Sequence, residues 1–116
     1  MRESPLYVRT YDFLLWLIPR VHKFPRVHRF GLGERIQHLG LDFQDSLVAA
    51  GKSHGKARLD CLLEADLKLT QLRVWIRLVR DLEVITVRQY EHCARLMTEI
   101  GRLLGAWIKT MKTSKG

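Results

Sequence analysis

The stretch 86–111, TVRQYEHCARLMTEIGRLLGAWIKTM, carries the most regular pattern in the chain and decides the fold class. Thr86 and Gln89 have the spacing of a capping box, in which each side chain accepts a hydrogen bond from the other residue's backbone N–H. Apolar or small residues then recur at alternating spacings of four and three, which is the period of one helix face. This row comprises Tyr90, Ala94, Met97, Gly101, Leu104, Ile108 and Met111. The stretch therefore predicts a long amphipathic α-helix.

A second apolar row lies beside the first on this predicted helix: Cys93, Leu96, Ile100, Leu103 and Trp107. Two rows exceed what the core of a small bundle needs from one helix. Either the helix is deeply buried at the centre of the bundle, or it contacts another copy of the chain, which we favour. Gly101 and Gly105, four residues apart, would allow another helix to approach closely. Each glycine costs up to about 1 kcal/mol of helix propensity relative to alanine, so we expect packing to compensate.

Start and stop signals predict three further helices upstream. Ser4-Pro5 is typical of a helix start, with Ser as the cap and Pro at the first helical position. Pro19 and Pro25 end that segment, and the Gly- and Ser-rich GKSHGK at 51–56 is a turn. We expect helices at about 5–22, 27–50, 55–84 and 87–111, followed by a basic C-terminal tail at 112–116. Strand-like alternation is not evident, so residues 1–116 are predicted to form one all-α domain, an antiparallel up-down four-helix bundle.

The stretch 23–36, KFPRVHRFGLGERI, contains two near-adjacent glycines but does not fit a phosphate-binding loop. A dinucleotide loop needs a third glycine where Ile36 stands, and a preceding strand. The lone GKS at 51–53 lacks the glycine that a triphosphate loop needs, because Ser46 occupies that position. We therefore interpret the stretch as a helix–helix corner, with its apolar side chains directed to the core: Phe24, Phe30, Leu32 and Ile36.

Charge is the first indication of a partner. Twenty Lys and Arg against twelve Asp and Glu give a formal net charge of +8, which favours a polyanion: nucleic acid or an anionic membrane surface. Runs long enough for a membrane span are missing, and Glu3, Arg9 and Asp12 argue against a secretory signal. Cys61 and Cys93 are expected to be buried free thiols in a reducing compartment, so we predict a cytoplasmic protein without a membrane partner.

Catalytic and metal-binding patterns are missing from the sequence. The five histidines, His22, His28, His38, His54 and His92, are scattered, and none has the spacing of a zinc-binding pair. Cys93 lies on an apolar row without an evident base, which does not fit a nucleophile. We therefore expect no enzyme activity, no metal and no cofactor.

The basic residues form three sets that differ in how many acidic residues lie beside them. Arg73, Arg77 and Arg80 recur at spacings of four and three with no acid between them, and only Asp81 is placed to pair, with Arg77. A row on the last helix, Arg88, Arg95, Arg102 and Lys109, has Glu91 and Glu99 beside it, so it is either a solvated, salt-bridged face or a nucleic-acid contact. The third set lies at the corner and has no acid before Glu34: Arg20, Lys23, Arg26 and Arg29. The residues predicted to bind nucleic acid are Arg73, Arg77, Arg80, Arg95, Arg102, Lys109, Arg26 and Arg29.

Three segments are distinctive: LLWLIPRVHKFPRVHRFGLGERI, LRVWIRLVRDLEVIT and RQYEHCARLMTEIGRLLGAWIK. Together they resemble the accessory variability determinant family of diversity-generating retroelements, and the resemblance spans about residues 6 to 110. That family lies within a wider group of four-helix-bundle proteins, some encoded by insertions in large-subunit ribosomal RNA genes. The shared marks are FP followed by F-x-L-G-x-R-I, and the run from QYEH (89–92) to GxWIK (105–109). FP with a downstream Leu and Ile is common to the wider group, whereas the basic third helix and the QYEH-to-GxWIK run are more specific to the retroelement family.

The resemblance implies a basic homopentamer, shaped as a barrel of bundles, that binds RNA and DNA with little sequence preference. It also implies association with the reverse transcriptase that copies a template RNA into adenine-mutagenised cDNA for mutagenic retrohoming. On this interpretation the chain is a non-catalytic accessory subunit. The alternatives are a self-assembling scaffold with a protein partner only and, less favoured, a peripheral membrane protein.

Overall fold

The computed structural model describes residues 4–113, which form a bundle of helices without a strand in that range. Its elements are α1 (Pro5–His22), α2 (Arg26–His28), a π-helical turn (Arg29–Gly33), α3 (Glu34–Gly51), α4 (Gly55–Asp81) and α5 (Val87–Thr113). Because α2, the π-helical turn and α3 follow one another without a break, they act as one composite rod. The predicted four-helix bundle is confirmed.

Contacts at both ends of the rods show that neighbouring helices are antiparallel. Arg80 lies over the ring of Tyr90, and Arg58 over the ring of Trp107, so the end of α4 meets the start of α5 and the reverse. Two contacts likewise join α1 and α3: Tyr7 with Leu47, and His22 with Gln37. Two join α1 and α5: Tyr7 with Trp107, and Trp16 with His92. Two join α3 and α4: Ala50 with Arg58, and Arg35 with Trp75. The topology is therefore up-down-up-down.

The starts of α1 and α5 show the capping chemistry of the sequence, and α4 ends earlier than expected. Ser4 Oγ accepts from the Leu6 amide at 3.1 Å. The Thr86 and Gln89 side chains accept from each other's amides at 3.0 and 2.9 Å, which is the predicted capping box. However, α4 ends at Asp81 rather than near residue 84, because Glu83 adopts a φ of 62° that turns the chain toward α5. Lys112 and Thr113 of the expected tail belong to α5, and 114–116 lie outside the described residues.

Both apolar rows of α5 are used within the bundle. Cys93 and Ile100 of the second row are buried, and Leu96, Leu103 and Trp107 of that row are half-buried against the core. Two rows are needed because α5 packs on two neighbours, α1 on one side and α4 on the other. The apolar surplus expected on α5 therefore does not point to a second copy of the chain.

Exposed apolar side chains lie instead on α4 and on the α1–α3 side. The first set, the α4 stripe, follows helical spacing on the side of α4 away from the core: Leu63 (41% exposed), Leu67 (48%), Val74 (63%) and Leu78 (40%). The second set, the α1–α3 patch, comprises Val8, Tyr11, Leu15 and Val48. This patch borders an open groove of about 1000 Å³ that reaches Tyr7, Arg58 and Trp107. The two surfaces lie on different helices.

The corner between α1 and α3 departs from the prediction at one residue. Phe24 and Ile36 are buried and Leu32 is half-buried, as expected, but 66% of Phe30 is exposed. The π-helical turn inserts extra backbone between α2 and α3, which changes the direction of Phe30 relative to a regular helix. Gly33 anchors the turn, because a Cβ there would approach Val21 Cγ1 to 3.1 Å.

Candidate nucleic-acid interface

The three arginines of α4 lie in one row along the seam between α4 and α5. Their spacings of four and three place them on the same side of α4. Contacts with Met97 and Tyr90 show that this side faces α5. Arg73 and Arg77 are exposed, and Arg80 is half-buried. The row therefore presents three guanidinium groups along one groove.

Arg73 is held in place by the backbone of α5. Its Nη2 donates to the carbonyl oxygen of Met97 at 3.2 Å, while the rest of the guanidinium faces outward. Gly101 makes this position possible, since a Cβ there would collide with the same Nη2. One arginine of the row is thus preorganised at the seam, and the glycine predicted to admit a neighbouring helix admits a side chain instead.

Arg80 and Arg77 differ in how much of their charge is available. Arg80 forms an ion pair with Asp81 at 2.8 Å, and its guanidinium lies 4.4 Å from the centre of the Tyr90 ring. The hydrogen bond with Asp81 raises the pKa of Arg80. The expected pairing of Asp81 with Arg77 is wrong. Within residues 4–113, Arg77 has no carboxylate within ion-pair distance, so its charge faces solvent.

The row on α5 occupies the solvent face opposite the core. Arg102 pairs with Glu99 at 2.8 Å, and this hydrogen bond lowers the pKa of the Glu99 carboxyl and raises that of Arg102. Arg95 and Lys109 are exposed, and neither has an ion-pair partner in the described part of the chain, Glu91 included. The face is therefore salt-bridged at one position and uncompensated at two others.

Arg26 and Arg29 lie apart from these rows, at the corner. The Nε and Nη2 atoms of Arg29 donate to the Phe24 carbonyl oxygen at 3.4 and 3.3 Å. Arg26 is exposed. Nearby, Arg20 and Lys23 line a cleft of about 190 Å³ with residues of the α4–α5 connection. This places the corner at the same end of the bundle as Arg80. The acid-free interval from Arg20 to Gly33 was the sequence signal for this cluster.

Comparison with known proteins decides the family. A model of the bAvd-like family matches residues 6–111, almost the whole chain. The chain belongs to the bAvd-like family. The resemblance to accessory variability determinant proteins is therefore confirmed at the family level. No curated protein sequence matches the chain significantly.

The bAvd-like bundle also matches a solved structure closely in shape. A protein of unknown function of the S23 ribosomal protein family from Bacteroides thetaiotaomicron superposes with a TM-score of 0.84. The match covers 90% of this chain and 96% of that chain, at 21% sequence identity. At this identity the likeness shows the fold.

Other chemistry in the bAvd-like chain is sparse. Across residues 4–113, no three His, Cys, Asp or Glu side chains gather where a metal ion could be held. Burial raises the pKa of the Cys93 thiol to about 12, so this sulfur is protonated at neutral pH and is a poor nucleophile. Within the same range, none of the helices is long and apolar enough to cross a membrane. The candidate site of the chain is therefore the set of basic residues, with the arginine row at the α4–α5 seam as its central part.

Proposed function

We propose that this chain is a non-catalytic accessory subunit of a diversity-generating retroelement. It binds nucleic acid, template RNA or cDNA, and the reverse transcriptase, and thereby supports mutagenic retrohoming. The observation that carries the nucleic-acid role is the seam row: Arg73 is preorganised by a backbone hydrogen bond, and the neighbouring Arg77 is uncompensated. Arginines at successive turns of one helix can contact the phosphates of a strand without reading its sequence.

The sharpest test reverses the charge of Arg77 alone. Arg73 and Arg80 interact with α5, so changing them could disturb the packing of α4 on α5, whereas Arg77 makes no hydrogen bond, ion pair or ring contact within residues 4–113. Arg77→Glu is expected to weaken binding of labelled RNA and DNA at least about tenfold, and to make the salt dependence of the affinity shallower. Fluorescence anisotropy over a salt series measures both quantities.

Lys52→Glu is the matched control, because Lys52 is exposed just after the end of α3, at the opposite end of the bundle from Arg80. It makes the same change in net charge, so a general charge effect would weaken binding equally in both variants. Equal losses would reject the seam as the site. Wild-type protein that fails to bind RNA or DNA at near-physiological salt would favour the scaffold with a protein partner only.

We also propose that the chain forms a homo-oligomer, a pentamer as the family resemblance implies. The α4 stripe and the α1–α3 patch support this, since each exposes several large apolar side chains on one face. Because the two surfaces lie on different helices, contact of one with the other would be heterologous. Heterologous contacts generate closed rings when the rotation between copies closes.

Two variants, each with one of the two surfaces disrupted, test this arrangement. Val74→Glu in the α4 stripe and Leu15→Glu in the α1–α3 patch should each dissociate the assembly in native mass spectrometry. Mixed together, they retain one intact interface and should form dimers only. If the stripe met itself, Leu15→Glu would leave the assembly whole, which would contradict the arrangement. Val87→Glu, at an exposed apolar residue outside both surfaces, is the control.

Association with the reverse transcriptase rests on the family alone and needs its own test. The tagged enzyme of the same retroelement should retain the wild-type chain after nuclease treatment. Arg77→Glu should also be retained if protein contacts, rather than shared RNA, join the two. Loss of the complex on nuclease treatment would reject a direct contact.

A further inference from the structure

The corner carries an aromatic side chain that the fold does not use. Phe30 is 66% exposed and the neighbouring Val27 is 81% exposed, although both belong to residue types that normally lie inside a bundle. A Cβ on the following Gly31 would meet no atom within 4 Å outside the adjoining residues and the nearby helix backbone, so this side of the turn is open. Most of the Phe30 side chain is therefore accessible.

The turn that presents Phe30 is firmly held. Phe24 is buried, and Gly33 packs against Val21 and Phe24, where a Cβ would approach Phe24 Cδ2 to 3.3 Å. Arg29 ties the turn to the end of α1 through its two hydrogen bonds to the Phe24 carbonyl. The ring is thus displayed from an ordered support, which lowers the entropy cost of a contact made through it.

The charge around Phe30 selects the kind of ligand. Residues 20–33 contain Arg20, Lys23, Arg26 and Arg29 and no acidic residue. Arg26 and Lys23 are exposed and, within residues 4–113, unpaired. An exposed apolar ring in a segment of uncompensated cations is complementary to a ligand with a flat apolar face and a negatively charged backbone. An unpaired nucleotide has both, whereas the bases of a duplex are stacked on each other and cannot reach the ring.

We propose that the corner is a single-strand site, in which Phe30 stacks on an unpaired base while Lys23, Arg26 and Arg29 contact the flanking phosphates. This inference rests on the proposed nucleic-acid role and extends it. The seam row contacts backbone phosphates of any strand, and the corner adds a preference for unpaired nucleotides.

The experiment compares probes that share phosphates but differ in accessible bases. The probes are a labelled single-stranded RNA of about 12 nucleotides, the duplex of the same sequence, and a matched strand with abasic residues. Phe30→Ala should weaken binding of the single strand about five- to a hundredfold. Its affinity for the duplex and for the abasic strand should stay within about twofold of wild type, because stacking is missing from both.

Two further variants keep the result specific. Phe30→Trp should retain affinity, and its added fluorescence should be quenched by the single strand but not by the abasic one. Val27→Ala removes a neighbouring exposed apolar side chain and should leave binding unchanged. Because Phe30 and Val27 are exposed, we expect all three variants to fold, and circular dichroism checks this.

Three other results would contradict the proposed single-strand site. If wild type binds none of the probes, the proposed nucleic-acid role fails together with this inference. If wild type binds but Phe30→Ala binds all probes like wild type, or loses single strand and duplex equally, only the stacking site fails. A change in oligomer mass for Phe30→Ala with unaltered single-strand binding would assign the ring to contact between copies and overturn the inference.

Discussion

The guanidinium of Arg73 lies directly over Gly101, where it donates to the carbonyl oxygen of Met97. A basic side chain predicted to face a ligand is therefore also part of the α4–α5 packing. Gly105, one turn further along α5, has open space at the corresponding position. The two glycines offer a matched pair for measuring what the Arg73 contact contributes.

Alanine at these glycines should have different effects on stability. Gly105→Ala should raise the free energy of unfolding by about 0.5–1 kcal/mol, because alanine is the better helix former. Gly101→Ala gains the same propensity but displaces Arg73, at a cost of about 1 kcal/mol for the hydrogen bond, and should be close to neutral. Urea denaturation at one fixed protein concentration measures both. Equal stabilisation by the two substitutions would show that Arg73 is not docked in solution.

Helix number and topology could be predicted because their signals are local. The Thr86–Gln89 capping box and the four-and-three row of α5 need no knowledge of neighbouring helices. Phe30 could not be placed, because the π-helical turn has no comparable sequence signature and changes the direction of one side chain.

Side-chain pairings could not be predicted from sequence spacing, because they depend on contacts with other helices. Asp81 was expected to pair with Arg77, one helical turn earlier. It pairs with Arg80 instead, whose guanidinium is fixed over Tyr90 of another helix. The second apolar row of α5 leaves two interpretations open in the sequence, and its burial within the bundle, rather than the favoured contact with another copy, depends on α5 having two neighbours.

Arg58 is expected to stabilise the end of α3. Its Nε donates to the Ala50 carbonyl at 2.9 Å, and its guanidinium lies 5.7 Å from the centre of the Trp107 ring. Arg58→Ala should lower the free energy of unfolding by about 1–2 kcal/mol. Arg58→Lys should retain only part of the lost stability, since an ammonium lacks the planar fork of a guanidinium.

The control is Lys56→Ala. The ion pair of Lys56 with Asp60 is exposed and should contribute less than about 0.5 kcal/mol to the free energy of unfolding. Equal losses at the two positions would contradict this role.

Thr10 is a place where the bundle can be made more stable. Its side chain is 1% exposed, and among residues 4–113 its hydroxyl has no hydrogen-bond partner. Thr10→Val keeps the shape and removes the buried polar group, so the free energy of unfolding should rise by about 1 kcal/mol. Thr110→Val, which removes an exposed hydroxyl bonded to the Ala106 carbonyl, should change it by less than about 0.5 kcal/mol. Destabilisation by Thr10→Val would show that the hydroxyl is hydrogen-bonded in solution.

Cys93 should make the fold sensitive to alkaline pH. Burial raises the pKa of its thiol from 9.0 to about 12, so above pH 9 the unfolded chain releases this proton while the folded chain keeps it. The contribution to stability is complete below pH 9 and is lost as pH rises through this window, at up to about 1.4 kcal/mol per pH unit. Tyr7, whose pKa is also raised by burial, adds to the loss above pH 10.

Urea denaturation from pH 8 to 11 should therefore show a steep decline in the free energy of unfolding, and this decline should be shallower in Cys93→Ala. Ile100→Val is the control, because it also shortens a buried side chain of α5 but removes no titratable group, and it should keep the wild-type slope. A Cys93→Ala profile parallel to wild type would show that the thiol ionises equally in both states.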